Sequence, residues 1–498
     1  MQPVIQNAPK KSFVRSAFLL MGGTIFCQVL TIVSSPMLTR IFDASAYGTA
    51  GLISTVAGSM AWAAGLRYEL AIVLAKKRKT GNVLACIILL FSFSVAIVTF
   101  LVLLCFGASI NRLLGTVILG KWIWLVPLYF CLTAFALIQR MLAVRDQNFE
   151  IVTRSQLYST VATVVLQFAA GVLLSASGFS LILSTLIGLF IGVVVLFWGN
   201  KNCFSMEHLS GRHYRKLVPA VLYKFRNLPL YTLPSSMVGM LTAFVLPLAL
   251  SSYHGVNVVG YYYLAKRITN IPVTIIVGTL SQLFFRKATL EIGLPTLSST
   301  IHRIHRLIII LLISPALLLT AIMPDLFQIM FGLKWREAGA MTSWYLFYSF
   351  AILLTAWIDR LYDVLGKQKT ALKFQIVTEI ITLLAIGVSV WLNATAVFVI
   401  AAYSISVFIC NIVWIYVTFR LARVSMAGYW KNLSLLTVAL VASISLNLLV
   451  IALNLQSWFV LAVALLVFAS LLGLNRKVLL DLRNSLRNRG ESHNSLNA

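Results

Sequence analysis

The 498-residue sequence predicts an all-α polytopic membrane protein. Three observations carry that reading. Hydrophobic residues make up 60% of the chain and charged residues only 11%, where a soluble domain is about a quarter charged. Apolar runs of roughly 20 residues, the length that crosses a bilayer, recur from end to end. The runs are continuous and lack the ~10-residue alternating segments of a membrane barrel, and lipid admits only helices or closed barrels.

About fourteen spans are expected on length. The first six lie near 13–39, 49–75, 83–106, 122–141, 156–174 and 180–198. Cations bound them in turn: Lys10, Lys11 and Arg15 before the first, Lys76 to Lys79 after the second, and Arg140, Arg145 and Arg154 between the fourth and fifth. The next six lie near 227–250, 257–284, 306–323, 341–362, 374–392 and 397–419, and the last two near 434–453 and 458–475. Their boundaries fall at Arg286 to Arg306, Lys367 to Lys373, Arg420 to Lys431 and Arg476 to Arg489. With the N-terminus inside, 31 of the 40 Lys and Arg are cytoplasmic, five are external and four lie within spans. The positive-inside rule thus accounts for most of the net charge of +27, and nucleic acid is not needed as a partner. Trp122, Trp124, Trp335, Trp344 and Tyr261 to Tyr263 read as interfacial belts.

The polar, basic segment 200–226 divides the chain into an N-terminal six-helix bundle, 13–199, and a C-terminal one, 227–419. Two additional spans (434–475) and a cytoplasmic tail (476–498) follow. A weak internal repeat supports the division. Pro36, Asp43 and "YGTAGLIS" match Pro247, His254-Gly255 and "VGYYYLAKR", with Gly48 and Gly260 opening the second span of each half. Six spans separate the copies, so both run the same way, which predicts a pseudo-twofold axis along the membrane normal. The apolar run from Phe13 is too long for a cleavable signal peptide and leads into "SSPMLTRIFDASAYG" without a small-residue cleavage site. The six Cys lack CxxC spacing and read as small core hydrophobes, and Gly188 and Gly192 form a GxxxG that favours close helix packing.

Ionisable groups inside spans are costly and mark cavities or partners. Arg67 and Glu69 come first, in "LRYELAIVLAKKRKTG". On an unbroken helix they point roughly 200° apart and do not pair, although Gly65 can kink the helix just before them. Arg67 then faces a wet vestibule while Glu69 anchors a neighbouring helix or takes a proton; alternatively both snorkel to the cytoplasmic interface. Lys266 and Arg267 form the second group, ~15 Å from the external end of their span, with Pro272 just beyond. They read as an anion site or as outward-snorkelling cations. The third is "DRLYDVLGKQK", where Asp359, Arg360 and Asp363 read first as a structural helix end, with Glu379 as a partner or a proton site. The chain has no GxxxxGK[ST], HExxH or GxSxG, and no external loop large enough to hold an active site, so neither ATP hydrolysis nor other catalysis is expected. His302 and His305 read as a solvated interfacial face.

At "MLTRIFDASAYGTAGL", "LRYELAIVLAKKRKTGNVL", "YKFRNLPLYTLPSSM", "VVGYYYLAKRITNIPV" and "RLYDVLGKQKTAL" the sequence resembles the Wzx-type polysaccharide flippases. These belong to the multidrug/oligosaccharidyl-lipid/polysaccharide exporter superfamily. The resemblance implies two six-helix bundles opening alternately around a cationic cavity, in a bacterial inner membrane with both termini cytoplasmic. It implies as cargo an undecaprenyl-pyrophosphate-linked oligosaccharide moved to the periplasmic leaflet. Arg67 and Glu69 stand in the family's "RYE" motif and Lys266 and Arg267 in its "LA-x-R" stretch, where Lys266 is an addition. No cofactor is implied; H+ or Na+ is the candidate coupling ion, through Glu69, Asp359 or Glu379. Membrane lipids, a polysaccharide polymerase and a chain-length regulator are the candidate partners. The competing readings are a lipid II or multidrug exporter of the same superfamily and, from another class, a polysaccharide polymerase or a non-transporting scaffold.

Overall fold

The computed structural model of the chain describes residues 10–75, 78–113, 123–200, 212–226, 228–291, 295–359, 361–362, 365, 367–453 and, beyond these, 462, 465–466, 469 and 473. The secondary structure among the described residues is helical throughout. In chain order the helices are α1 (Lys10–Ile41), α2 (Ala44–Ala64), α3 (Tyr68–Leu74), α4 (Arg78–Leu113), α5 (Leu125–Arg145), α6 (Phe149–Leu173) and α7 (Gly178–Gly199). There follow α8 (Arg212–Lys224), α9 (Leu233–His254), α10 (Val256–Glu291), α11 (Pro295–Ile308), α12 (Ser314–Leu318), α13 (Met323–Phe331) and α14 (Arg336–Thr355). The last are α15 (Gln368–Trp391), α16 (Ala396–Leu421) and α17 (Met426–Leu453).

Eleven helical stretches among the described residues are long and apolar enough to cross a membrane. Three expected spans are not among them. The span at 49–75 is broken into α2 and α3, the one at 257–284 is the 36-residue α10, and most of 458–475 lies outside the described residues. Chain that is polytopic and helical is what the composition demands, because each helix satisfies its own backbone in hydrocarbon.

Contacts group the chain into two units, 1–271 with 375–399 and 272–374 with 400–498. One boundary falls inside α10 at Pro272, whose ring removes a ladder hydrogen bond. In the first unit α6 and α7 form a hairpin along the GxxxG face. Gly188 sits against Ser159 and Thr163, and Ser155 Oγ donates to the Gly192 carbonyl at 2.7 Å. A side chain at either glycine would hold the helices apart.

The first unit also brings the two repeat glycines together. The backbone of Gly48 in α2 lies against the Val256 carbonyl of α10, and that of Gly260 in α10 lies against the Ala44 carbonyl of α2. Gly48 and Gly260 are 212 positions apart, and so are Ala44 and Val256, so the contact is reciprocal. Gly51 and Tyr263, again 212 apart, meet each other directly. A surface on which i meets j while the equivalent of i meets the equivalent of j is what a twofold rotation imposes. One turn further along α2, the Thr55 and Tyr263 hydroxyls share a hydrogen bond.

In the second unit, α17 docks on the segment around α12. Ser443 Oγ donates to the Leu317 carbonyl at 2.7 Å, and Asn447 Nδ2 donates to Thr320 Oγ1 at 3.1 Å. Here one sequence expectation is corrected. His305 is not on a solvated face: it is buried, with Nε2 2.8 Å from the Leu354 carbonyl and its ring 5.0 Å from that of Trp357. The reason is periodicity. Ile301, His305 and Ile308 recur at helical spacing on the inward face of α11, whereas Arg303 is exposed. His302 is half-buried, packed against Gly428 and the ring of Phe419.

Candidate functional site

The break between α2 and α3 builds the site. Leu66 and Arg67 both adopt left-handed backbone, at φ 47° and 63°, and neither is a glycine. Such conformations cost about 1–3 kcal/mol each and persist only where the surroundings enforce them. Two short backbone bonds close the turn, Tyr68 N–H to the Gly65 carbonyl at 2.9 Å and Leu70 N–H to the Arg67 carbonyl at 3.2 Å. The apolar face of α3, Tyr68, Ala71 and Ile72, then locks into a buried cluster with Leu84, Ile88, Ile138, Leu142 and Val221.

This break overturns the expectation that Arg67 and Glu69 do not pair. Arg67 Nη1 lies 3.3 Å from Glu69 Oε1, and Arg67 Nε donates to Ser236 Oγ of α9 at 2.8 Å. The 200° separation held only for an unbroken helix; the left-handed turn swings the two side chains to one side. Glu69 is 2% exposed, so its charge depends on this partner. Its carboxylate also folds back over Gly65: a methyl group there would stand 2.6 Å from Glu69 Oε2. Gly65→Ala is therefore expected to push the carboxylate off Arg67. We expect a loss of roughly 1–3 kcal/mol, the usual penalty for over-packing, read as a lower denaturation midpoint in detergent.

A cavity of about 310 Å³ lies beside this pair, between α2 and α9. Ser59, Met60, Leu233, Ser236, Met237, Met240, Leu241 and Phe244 line it, and Ser236 is the residue that Arg67 holds. Lys266 and Arg267 are not among the lining residues but are half-buried in α10. The Lys266 ammonium stands 5.7 Å and 5.8 Å from the ring centres of Tyr262 and Tyr263, within cation–π range, and Arg267 interacts electrostatically with the Tyr47 hydroxyl. Among the described residues neither cation has a carboxylate partner.

Glu379 of α15 accepts from both the backbone N–H (3.2 Å) and the hydroxyl of Thr242 of α9, and the Thr242 hydroxyl lies 3.3 Å from that of Thr382. Asp359 belongs to the second unit, where its Oδ1 accepts from Trp414 Nε1 at 2.8 Å beside the stacked Tyr362–Trp414 pair. Arg360 and Asp363 lie outside the described residues. The structure thus joins Arg67 to Glu69 and Ser236 and gives the Glu379 carboxylate Thr242, while Asp359 stands with aromatic partners in the second unit. Ser236, Thr242 and the three methionines were missed by inspecting charge. The sequence signal for Ser236 is the proline-bracketed "LPLYTLPSS" that leads into α9, with small hydroxyls in an apolar run.

Ionisable side chains held inside an all-helical, multiply spanning bundle define a polytopic membrane protein with a polar interior. The chain belongs to the polysaccharide biosynthesis protein family, whose model matches residues 37–340. Its fold is shared with solved structures of a lipid flippase and of multidrug transporters. Among solved structures it is similar to the lipid II flippase MurJ in an inward closed conformation, at TM-score 0.65 and 14% identity over 94% of this chain and 99% of that one. It is also similar to an inward-facing multidrug resistance transporter of the MATE family, at 0.63 and 15% over 80% and 95%. A third is a superfamily transporter from Pyrococcus furiosus described as having a binding pocket of reversed polarity, at 0.56 and 13% over 86% and 97%. At such identities the likeness is one of fold. No curated protein sequence matches the chain.

Proposed function

We propose that the protein is a flippase that carries an undecaprenyl-pyrophosphate-linked oligosaccharide from the cytoplasmic to the periplasmic leaflet of a bacterial inner membrane, without catalysis. The observation that carries this reading is the trio Arg67, Lys266 and Arg267, each half-buried, the last two with no carboxylate partner among the described residues. A pyrophosphate diester bears about two negative charges, and leaving water bare is prohibitive. Guanidinium forks and an ammonium replace its hydration. The two six-helix halves, 13–199 and 227–419, would rock about an axis through the Gly48–Gly260 contact, joined by the basic linker 200–226. With the interior negative, outward movement of each negative charge gains ~2.3 kcal/mol per 100 mV. The matched family and the lipid-carrying neighbour support the reading; the closest alternative cargo is lipid II, and a cationic drug fits half-buried cations that have no carboxylate partner poorly.

In a strain lacking the protein, lipid-linked oligosaccharide should accumulate on the inner leaflet. Wild type should restore export, whereas Lys266→Ala with Arg267→Ala should not, at equal membrane levels. Full complementation by that double variant removes the proposal and leaves the scaffold reading.

Coupling to H+ or Na+ through Glu379 or Glu69 forms part of the same reading. Thr242→Val deletes a hydroxyl bond to Glu379 and should lower flipping in vesicles under an imposed ion gradient while leaving potential-driven flipping intact. Equal losses under both driving forces would assign Thr242 a structural role alone.

A further inference from the structure

We infer that the methionine-lined cavity between α2 and α9 binds the hydrocarbon chain of a phosphate-bearing lipid, with Ser236 at its wall, and Arg67 bonded to it behind, receiving the headgroup side. The inference rests on the proposed cargo class and adds where its chain is held.

The lining decides the chemistry. Met60, Met237, Met240, Leu233, Leu241 and Phe244 supply the walls, and among the described lining residues the side-chain polar atoms are the hydroxyls of Ser59 and Ser236. Ser236 already accepts from Arg67. A sugar placed here would leave most of its hydroxyls unpaired, at about 1–3 kcal/mol each, so the cavity rejects the glycan. A hydrocarbon needs no partner, and three flexible, polarisable thioethers mould to an irregular branched chain better than rigid side chains do. At about 310 Å³ the space suits a chain segment and sits at the small end of ligand pockets.

The position decides the headgroup. Ser236 forms part of the cavity wall and is at the same time 2.8 Å from the Arg67 guanidinium, so a chain in the cavity brings its polar end to a fixed cation. Glu69 takes Nη1 of that guanidinium at 3.3 Å, and a phosphate competes for the same fork in a way that a neutral alcohol or a lipophilic cation does not. The cavity also lies between two polar contacts to the second repeat. Thr55 with Tyr263 stands one turn before Ser59, and Arg67 with Ser236 two turns after. Met237 and Leu241 are 54% and 43% exposed, so the cavity has an open side through which a chain can enter.

The test uses the purified full-length wild-type protein in nanodiscs and a geranylgeranyl diphosphate carrying a diazirine on its chain. After illumination, the label should map to Met60, Met237 or Met240. Unlabelled geranylgeranyl diphosphate should compete at least about tenfold better than geranylgeraniol, the difference that one charge-assisted hydrogen bond supplies. Met240→Trp, which fills the space, should abolish labelling there. Label confined to other helices, equal competition by the alcohol, or better competition by a long-chain quaternary ammonium would each overturn the inference. The proposed function is judged separately: it falls if the Lys266 and Arg267 variants still export, whatever the label shows, whereas a cavity left unlabelled in a protein whose export needs those cations sinks this inference alone.

Discussion

Arg67→Ala should abolish export and also remove roughly 3–5 kcal/mol of stability, the usual result of stripping one partner from a buried ion pair. The residue holds two groups at once, Glu69 at 3.3 Å and Ser236 at 2.8 Å. Its loss leaves a 2%-exposed carboxylate whose other oxygen has no hydrogen-bond partner among the described residues. A single variant would therefore confuse unfolding with lost cargo binding. Adding Glu69→Gln removes the stranded charge. The double variant should recover most of the denaturation midpoint in detergent and still fail to export lipid-linked oligosaccharide. Recovery of export along with stability would show that Arg67 serves the α2–α3 break alone. Arg67→Lys should behave like a milder alanine, because a point ammonium cannot reach a hydroxyl and a carboxylate in two directions as a fork does.

Gly260→Val should be the most disruptive change at the crossing of α2 and α10. The backbone at Gly260 rests on the Ala44 carbonyl and that at Gly48 on the Val256 carbonyl, so no rotamer change can make room; the helices themselves must part. Over-packing a site with flexible neighbours costs about 1–3 kcal/mol, and a backbone wall places this one at or above that range. Separation of the helices also pulls the Tyr263 hydroxyl from Thr55. We expect a lowered denaturation midpoint and faster solvent-side labelling of a cysteine placed at Thr55. Gly48→Val, its counterpart 212 positions away, should give the same pair of effects. Unequal outcomes would show that the contact is not reciprocal in energy, whatever its geometry.

The two glycines show how much the sequence carries. Their place at the start of the second span in each half was legible, because a span boundary depends only on local hydropathy and the repeat could be read against itself. That they touch was not, because a crossing point depends on the packing of helices more than 200 residues apart, and nothing in "YGTAGL" names its partner. His305 shows the opposite error. Its neighbours Arg303 and Arg306 made the segment look wet, yet burial follows the face of the helix and not its composition.

The chain alone determined that this is a multiply spanning helical protein, where most of its helices begin and end, and which charges stand inside apolar runs. Those properties are set within some twenty residues by the cost of exposing backbone and charge to hydrocarbon. Tertiary structure decided what the charges do. Leu66 and Arg67 carry no local preference for left-handed backbone, and a helix would otherwise run through them. The break exists because α3 is locked into its cluster while Arg67 is held by Ser236, 169 residues away, and only after that turn forms can Arg67 meet Glu69 beside the cavity that Ser236 lines.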